Sequence, residues 1–180
     1  MRYTYLLLLL LLAACSSSEW KSYPINEHLN VQLPTAPEKV DLQKQRGLPN
    51  VDPATLHQMQ AFTSSDDYGV YSIVINPADS ATLGLLPRDS LYNDGIHQML
   101  LTYQGNLRKR TSFSTPAGNG VEVLLDAVVP KVGKHVLTGV RLLLVGHQSF
   151  ALTAVPYAET DTSLATTQRR RFFDSITVKP

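Results

Sequence analysis

Val136-Leu137-Thr138-Gly139-Val140-Arg141-Leu142-Leu143-Leu144-Val145-Gly146-His147-Gln148-Ser149-Phe150-Ala151-Leu152-Thr153-Ala154-Val155 is the stretch on which the fold turns. Its first half, Val136 to Val145, is apolar on both faces apart from Arg141. That pattern belongs to an interior strand covered on each side, not to one that shows a face to water. Gly146-His147 is a tight polar joint, and Gln148 to Val155 resumes a β-rich run, so the two halves read as an antiparallel hairpin. Upstream, Val121 to Val129 alternates Val121, Val123, Leu125, Ala127 and Val129 with Glu122, Leu124, Asp126 and Val128, a core face against a mixed one. Leu107 to Ser114 precedes it across Pro116-Ala117-Gly118-Asn119-Gly120, and Pro130 to Lys134 joins it to the hairpin. Four strands in sequence with short turns meander antiparallel and leave faces that helices must cover.

The helices are legible by period. Tyr92, Ile96, Met99, Leu100 and Tyr103 follow at steps of 4, 3, 1 and 3, one face of a helix that Asp89 or Ser90 can cap and Gly105 can end. Gly95 inside it costs about 1 kcal/mol relative to Ala. A second helix runs from Asp161 to Phe173, started by Asp161 or Thr162, with Leu164 and Phe172 on one face. Ile176-Thr177-Val178 adds a short last strand. On the N-terminal side, Met59 to Ser64 and Val70 to Ile75 read as a hairpin around Ser65-Asp66-Asp67-Tyr68-Gly69. Leu29 to Leu33 is a strand stopped by Pro34, and Pro34 to Pro53 reads as a loop or ribbon. The fold class is α+β: an antiparallel sheet of about six to seven strands flanked by two helices.

Composition bounds the function. The chain has 180 residues, 43% apolar and 17% charged, with one cysteine and a formal charge of +1. A chain this long buries roughly 68–70% of its unfolded surface, enough for a core without disulfides or a structural metal. Disorder is excluded, and the balanced charge argues against a general nucleic-acid binder.

Seven leucines, Leu6 to Leu12, follow a single Arg2 and end at Ala13-Ala14-Cys15. The apolar run from Tyr5 to Ala14 makes only about 15 Å of helix against a hydrocarbon core of about 30 Å, so it reads as a secretory signal peptide and not a membrane span. Leu12-Ala13-Ala14-Cys15 resembles the lipobox of bacterial lipoproteins. The resemblance implies acylation of the Cys15 thiol, cleavage before Cys15 and anchorage by two or three acyl chains, which hold a protein to a membrane far more firmly than one. Residues 1–14 are then the signal peptide, 15–19 the lipidated cysteine and a short tether, and 20–180 one α+β domain. The mature chain has 166 residues, 15 basic and 15 acidic, and no cysteine left for a disulfide. Ser16 after the cysteine is not an acidic retention signal, which favours an outer-membrane over an inner-membrane destination.

Three segments resemble small lipoproteins of the PsbP-like fold. Leu29-Asn30-Val31-Gln32-Leu33-Pro34-Thr35-Ala36-Pro37 resembles their opening strand with Pro-x-x-Pro, Arg141 to Leu152 their central hairpin, and Phe172 to Val178 their closing helix-to-strand step. The resemblance implies a PsbP-like sandwich used for docking onto larger assemblies rather than for catalysis, and it carries over no functional residue.

The reactive residue types fall into no catalytic or ligand-binding pattern. His28, His57, His97, His135 and His147 show no metal-ligand spacing, and His135 and His147 flank a strand that holds them roughly 30 Å or more apart. They read as surface turn histidines. Gly146-His147-Gln148-Ser149 lacks the second glycine of a nucleophile elbow. Asp66, Asp67, Asp89, Asp94 and Glu122 offer carboxylates without a pairing pattern, and there is no Gly-rich phosphate loop. Arg108-Lys109-Arg110 and Arg169-Arg170-Arg171 could face anionic headgroups or an acidic partner, but as strand and helix surface they read first as solvated charge. No catalytic residue, cofactor site or metal site emerges, and Cys15 alone has an assigned role. The expected function is a membrane-anchored extracytoplasmic lipoprotein, not an enzyme, that docks onto or stabilises another envelope component without binding nucleic acid. The alternative is a small-molecule-binding lipoprotein, which requires a sizeable apolar pocket with convergent polar groups; an enzyme with no recognisable motif ranks behind both.

Overall fold

A computed structural model describes residues 19–44, 53–78, 85–128 and 133–179. In chain order the strands are β1 (Lys21–Pro24), β2 (Leu29–Leu33), β3 (Glu38–Val40), β4 (Gln60–Ser65), β5 (Gly69–Pro77), β6 (Asn106–Thr115), β7 (Gly118–Val128), β8 (His135–Val145), β9 (Gln148–Pro156) and β10 (Thr177–Val178). The helices are α1 (Pro53–Gln58), α2 (Arg88–Thr102) and α3 (Thr162–Asp174). Seven strands form one sheet in the order β3-β4-β5-β9-β8-β7-β6, and β1-β2-β10 form a second, every neighbouring pair antiparallel.

The β8–β9 hairpin pairs from Val145↔Gln148 to Gly139↔Ala154 and lies inside the large sheet, as its two apolar faces require. Val140, Leu142 and Leu144 of β8 pack beneath Tyr92 and Ile96 of α2, together with Val121, Val123 and Leu125 of β7. The alternate residues Leu143 and Val145 face the other way, into a core shared with Leu29, Val31 and Leu33 of the small sheet and Phe172 and Phe173 of α3. Each such fully buried side chain contributes about 1.5–3 kcal/mol. Arg141, the charge in this strand, points into that second layer. Its Nε donates to Glu122 Oε2 at 2.7 Å and its Nη1 to the Phe173 carbonyl at 2.5 Å, while the guanidinium lies 4.9 Å from the Phe113 and Phe173 ring centres.

Several expectations need correction. The segment read as loop or ribbon contains β3, paired to β4, and a 3₁₀ turn at Leu42–Lys44. β1 and α1 were not anticipated, being short and without a clear period, so three described helices stand where two were expected. The opening strand Leu29–Leu33 and the closing strand do not join the main sheet; they pair with each other in the small one. Neither Asp89 nor Ser90 caps α2. Pro87 occupies that position without a side-chain hydrogen bond, its ring presetting the entry. The residue that turns the chain at the other end is Gln104, at φ 46°, with the Gly105 N–H bonded to Leu100 O. That is a Schellman stop with a glutamine in the left-handed position. Gly105 is needed for a different reason: a Cβ there would meet Asp126 O of β7 at 2.8 Å. Asp161 does cap α3, accepting from the Ser163 and Leu164 N–H groups. Val129 and residues 130–132 of the expected β7–β8 joint lie outside the described residues.

Candidate functional site

α2 covers only part of its side of the large sheet. It packs on β7 and β8, α1 packs against β5, and among the described residues a cavity floored by β9 and β5 lies beside α2. The register lays out the floor there in three rows: Asn76–Ser149–Leu144, Val74–Ala151–Leu142 and Ser72–Thr153–Val140. β9 thus contributes Ser149, Ala151 and Thr153, three small side chains at alternate positions, between larger neighbours. Opposite them α2 carries Gly95, where a Cβ would come 3.3 Å from Leu142 Cδ1. The glycine lets α2 approach β8 closely, and beside that contact, over the small side chains of β9, lies a cavity of about 550 Å³. Met59, Leu91 and Met99 close its apolar waist, with Asn76 and Ser149 toward one end and Gln98 and Tyr103 also on the wall.

Two tyrosines border the cavity with different roles. Tyr92 is 5% exposed, and its hydroxyl donates to Asn119 O at 2.7 Å and accepts from the Leu144 N–H at 3.2 Å. It bridges β7 and β8 just beyond their last registered pair, Gly120↔Leu143. Burial pushes its phenol up from the usual value, so the hydroxyl keeps its proton through the neutral range. Burial likewise pushes the Tyr103 phenol up, and no group among the described residues bonds its hydroxyl. None of the described residues lining the cavity is an Asp, Glu, Lys, Arg or His. What the arrangement offers is apolar contact and neutral hydrogen bonds.

The residues singled out from sequence are scattered. Cys15 lies outside the described residues. His28 sits in a bend and His147 in the β8–β9 turn, as expected, but His57 and His97 are on helices and His135 opens β8. His57 Nδ1 lies 2.8 Å from Gln43 Nε2 and His135 Nδ1 3.0 Å from Asp126 Oδ1. No group of three His, Cys, Asp or Glu able to hold a metal occurs among the described residues. Asp66 accepts the Tyr68 and Gly69 N–H groups and the Tyr71 hydroxyl at the β4–β5 turn, Asp89 pairs with Arg110 at 3.0 Å, and Glu122 serves Arg141. Asp67 and Asp94 are exposed. Ser149 faces the cavity, but its hydroxyl donates to Asn76 O at 3.3 Å.

The basic triplets do not make one patch. Arg108 pairs with Asp126, and the hydrogen bonds from Arg108 and then His135 hold that carboxyl below the usual range. Arg108 sits at a bulge in β6, an edge strand whose exposed charges discourage further pairing. Arg169 lies over Gly139, where a Cβ would meet its Cδ at 2.2 Å, and Arg171 stacks 4.8 Å from the Trp20 ring. The cavity itself was missed from sequence. Its trace was there in Gly95, a costly glycine in a helix, and in the alternation of Ser149, Ala151 and Thr153.

Among solved structures, the solution structure of cyanobacterial PsbP (CyanoP) from Synechocystis sp. PCC 6803 is similar over 92% of this chain and 96% of that one, with a TM-score of 0.60 and 12% identity. The fold is PsbP-like. The sandwich expected from the three resembling segments is therefore correct, and at this identity the likeness is one of fold. A Pseudomonas aeruginosa protein of unknown function, PA94, is similar over 90% of this chain and 97% of that one, at a TM-score of 0.42 and 15% identity, too distant to argue from. No protein-family model and no curated protein matches the sequence. Among the described residues of this PsbP-like chain, no helix is long and apolar enough to cross a membrane.

Proposed function

We propose that the protein is a bacterial lipoprotein, anchored outside the cytoplasm through acylated Cys15, that binds a small molecule in the α2 cavity without transforming it. The cavity carries the reading: about 550 Å³, open on one side and lined mostly by apolar side chains with a few neutral polar groups, is the size and make-up of a ligand site. This observation favours ligand binding over docking alone. Support for a close tether comes from Trp20. Only Ser16 to Glu19 separate it from Cys15, about 13–14 Å when extended, yet Trp20 is 6% exposed and packs edge-on against Tyr71 at 4.9 Å. The β1 end of the PsbP-like body then rests near the membrane surface.

Native mass spectrometry of the protein extracted from cells, with fractionation of the membranes, tests both parts. The expected result is a small molecule bound at one per chain and an acylated protein in the outer-membrane fraction, released or misprocessed by Cys15→Ser. An empty protein under gentle extraction would remove the ligand reading, and unchanged maturation of Cys15→Ser would remove the anchor.

Docking onto an envelope component stands as the second reading, favoured by Leu85 and Leu86, 80% and 43% exposed beside the start of α2. That corner adjoins the β6–β7 turn through Arg88 and Gly118, at the opposite end of the large sheet from the β4–β5 turn. Photocrosslinking from position 86 in cells should trap one envelope protein; adducts no different from those at an unrelated surface position would count against this reading.

A further inference from the structure

We infer that the cavity selects an uncharged ligand with an apolar body about 13 Å long, and that Gly95 and Ala151 set the width it accepts. This rests on the cavity being a ligand site and names the class of ligand. The length follows from the floor: the row of Asn76–Ser149–Leu144 and the row of Ser72–Thr153–Val140 lie four residues apart along β9, about 13 Å at 3.3 Å per residue. The width follows from the middle row, where Ala151 lies between Val74 and Leu142 and Gly95 faces Leu142 from above. Any longer side chain at 151 would project into the waist, and one at 95 would meet Leu142 first.

Exclusion of charge follows from the walls. The cavity opens to solvent on one side, and a charged group held against its inner wall would meet no counter-charge among the described lining residues. The neutral groups fit hydrogen-bonding functions such as hydroxyl, carbonyl, amide or amine N–H in an otherwise aliphatic or aromatic molecule. The Tyr103 hydroxyl has no partner among the described residues, and its raised pKa keeps it protonated, so it can donate to a neutral acceptor. Met59 and Met99 add flexible, polarisable walls suited to a body of variable shape.

Two probes with one skeleton separate charge from shape. N-Phenyl-1-naphthylamine is neutral, and 8-anilinonaphthalene-1-sulfonate is the same ring system with a sulfonate. The full chain carrying Cys15→Ser is titrated with each and followed by fluorescence, so that no detergent competes. The expected result is saturable one-to-one binding of the neutral probe, at least tenfold weaker binding of the sulfonate, and loss of tenfold or more in neutral-probe affinity in Ala151→Leu with melting unchanged or raised. Gly95→Leu serves as the second narrowing variant if Ala151→Leu does not fold. Equal or tighter binding of the sulfonate would overturn the ligand class while leaving a ligand site. Absence of saturable binding by either probe would overturn the site itself. Binding undiminished in both narrowing variants would place the probe elsewhere and overturn the inference.

Discussion

Tyr92→Phe removes one oxygen atom and leaves the ring, so it isolates the bridge between β7 and β8. In the native protein that oxygen accepts the Leu144 N–H at 3.2 Å and donates to Asn119 O at 2.7 Å, and both the tyrosine and Leu144 are buried. Phenylalanine keeps the packing on Val121, Val140 and Leu142 but leaves the Leu144 N–H without an acceptor. A buried donor left unpaired costs about 1–3 kcal/mol, so a loss of about 2 kcal/mol is expected. For a domain of this size that corresponds to a fall in melting temperature of roughly 4–8 °C. The assay is urea denaturation at pH 7, in which the midpoint should drop with an unchanged slope, since the surface exposed on unfolding stays the same. Hydrogen exchange adds a local reading: protection of the Leu144 amide should fall more than that of Leu143. Tyr103→Phe is the control, because its hydroxyl has no partner among the described residues, and its stability should stay within about 0.5 kcal/mol of the parent. A loss below about 0.5 kcal/mol for Tyr92→Phe, or an equal loss for Tyr103→Phe, would refute the assignment of the bridge.

Gln104→Gly should stabilise the protein by about 0.5–1 kcal/mol, because Gln104 holds φ 46° at the end of α2 and glycine relieves that strain at some entropic cost; a chemical melt that shows no gain would mean the strain is absorbed elsewhere. Asp161→Ala should lower stability at pH 7, with the loss seen as a lower denaturation midpoint. The Asp161 carboxyl is held below its usual range, first by the Ser163 hydroxyl and then by the Leu164 and Ser163 N–H groups. Its contribution is therefore present above about pH 4 and disappears as pH falls through the lowered pKa, so parent and variant should converge in acid; a gap that persists at pH 2 would contradict this. Arg141→Lys should cost about 2–3 kcal/mol, since an ammonium cannot serve Glu122, the Phe173 carbonyl and two aromatic faces at once. Equal stability of Arg141→Lys in the same melts would show that charge alone matters there.

The parts of the fold that were legible are those whose pattern repeats within a few residues. The two apolar faces of Val136 to Val145 required a covered interior strand, and β8 lies between two buried layers. The steps from Tyr92 to Tyr103 required a helix with one buried face, and Tyr92 and Ile96 are buried. Errors fell where a local pattern was absent or where tertiary contact took over. β3 is a three-residue strand that pairs without alternation, and the end of α2 is placed by the close approach of Gly105 to Asp126 O. The basic triplets looked alike in sequence, but Arg169 over Gly139 and Arg108 at a sheet edge differ in what surrounds them.

By itself the sequence determined an α+β chain with a meandering antiparallel sheet and a helix at each expected place, because periodicity and hydrophobic runs are properties of neighbouring residues. Only the tertiary structure decided that the opening and closing strands form their own small sheet, and that α2 stops short of β9 and β5. The cavity is the clearest case. It lies where small side chains at 149, 151 and 153 meet the edge of a helix that Gly95 seats closely on Leu142. Missing volume gives no local signal, and it becomes a site only when distant elements are packed around it.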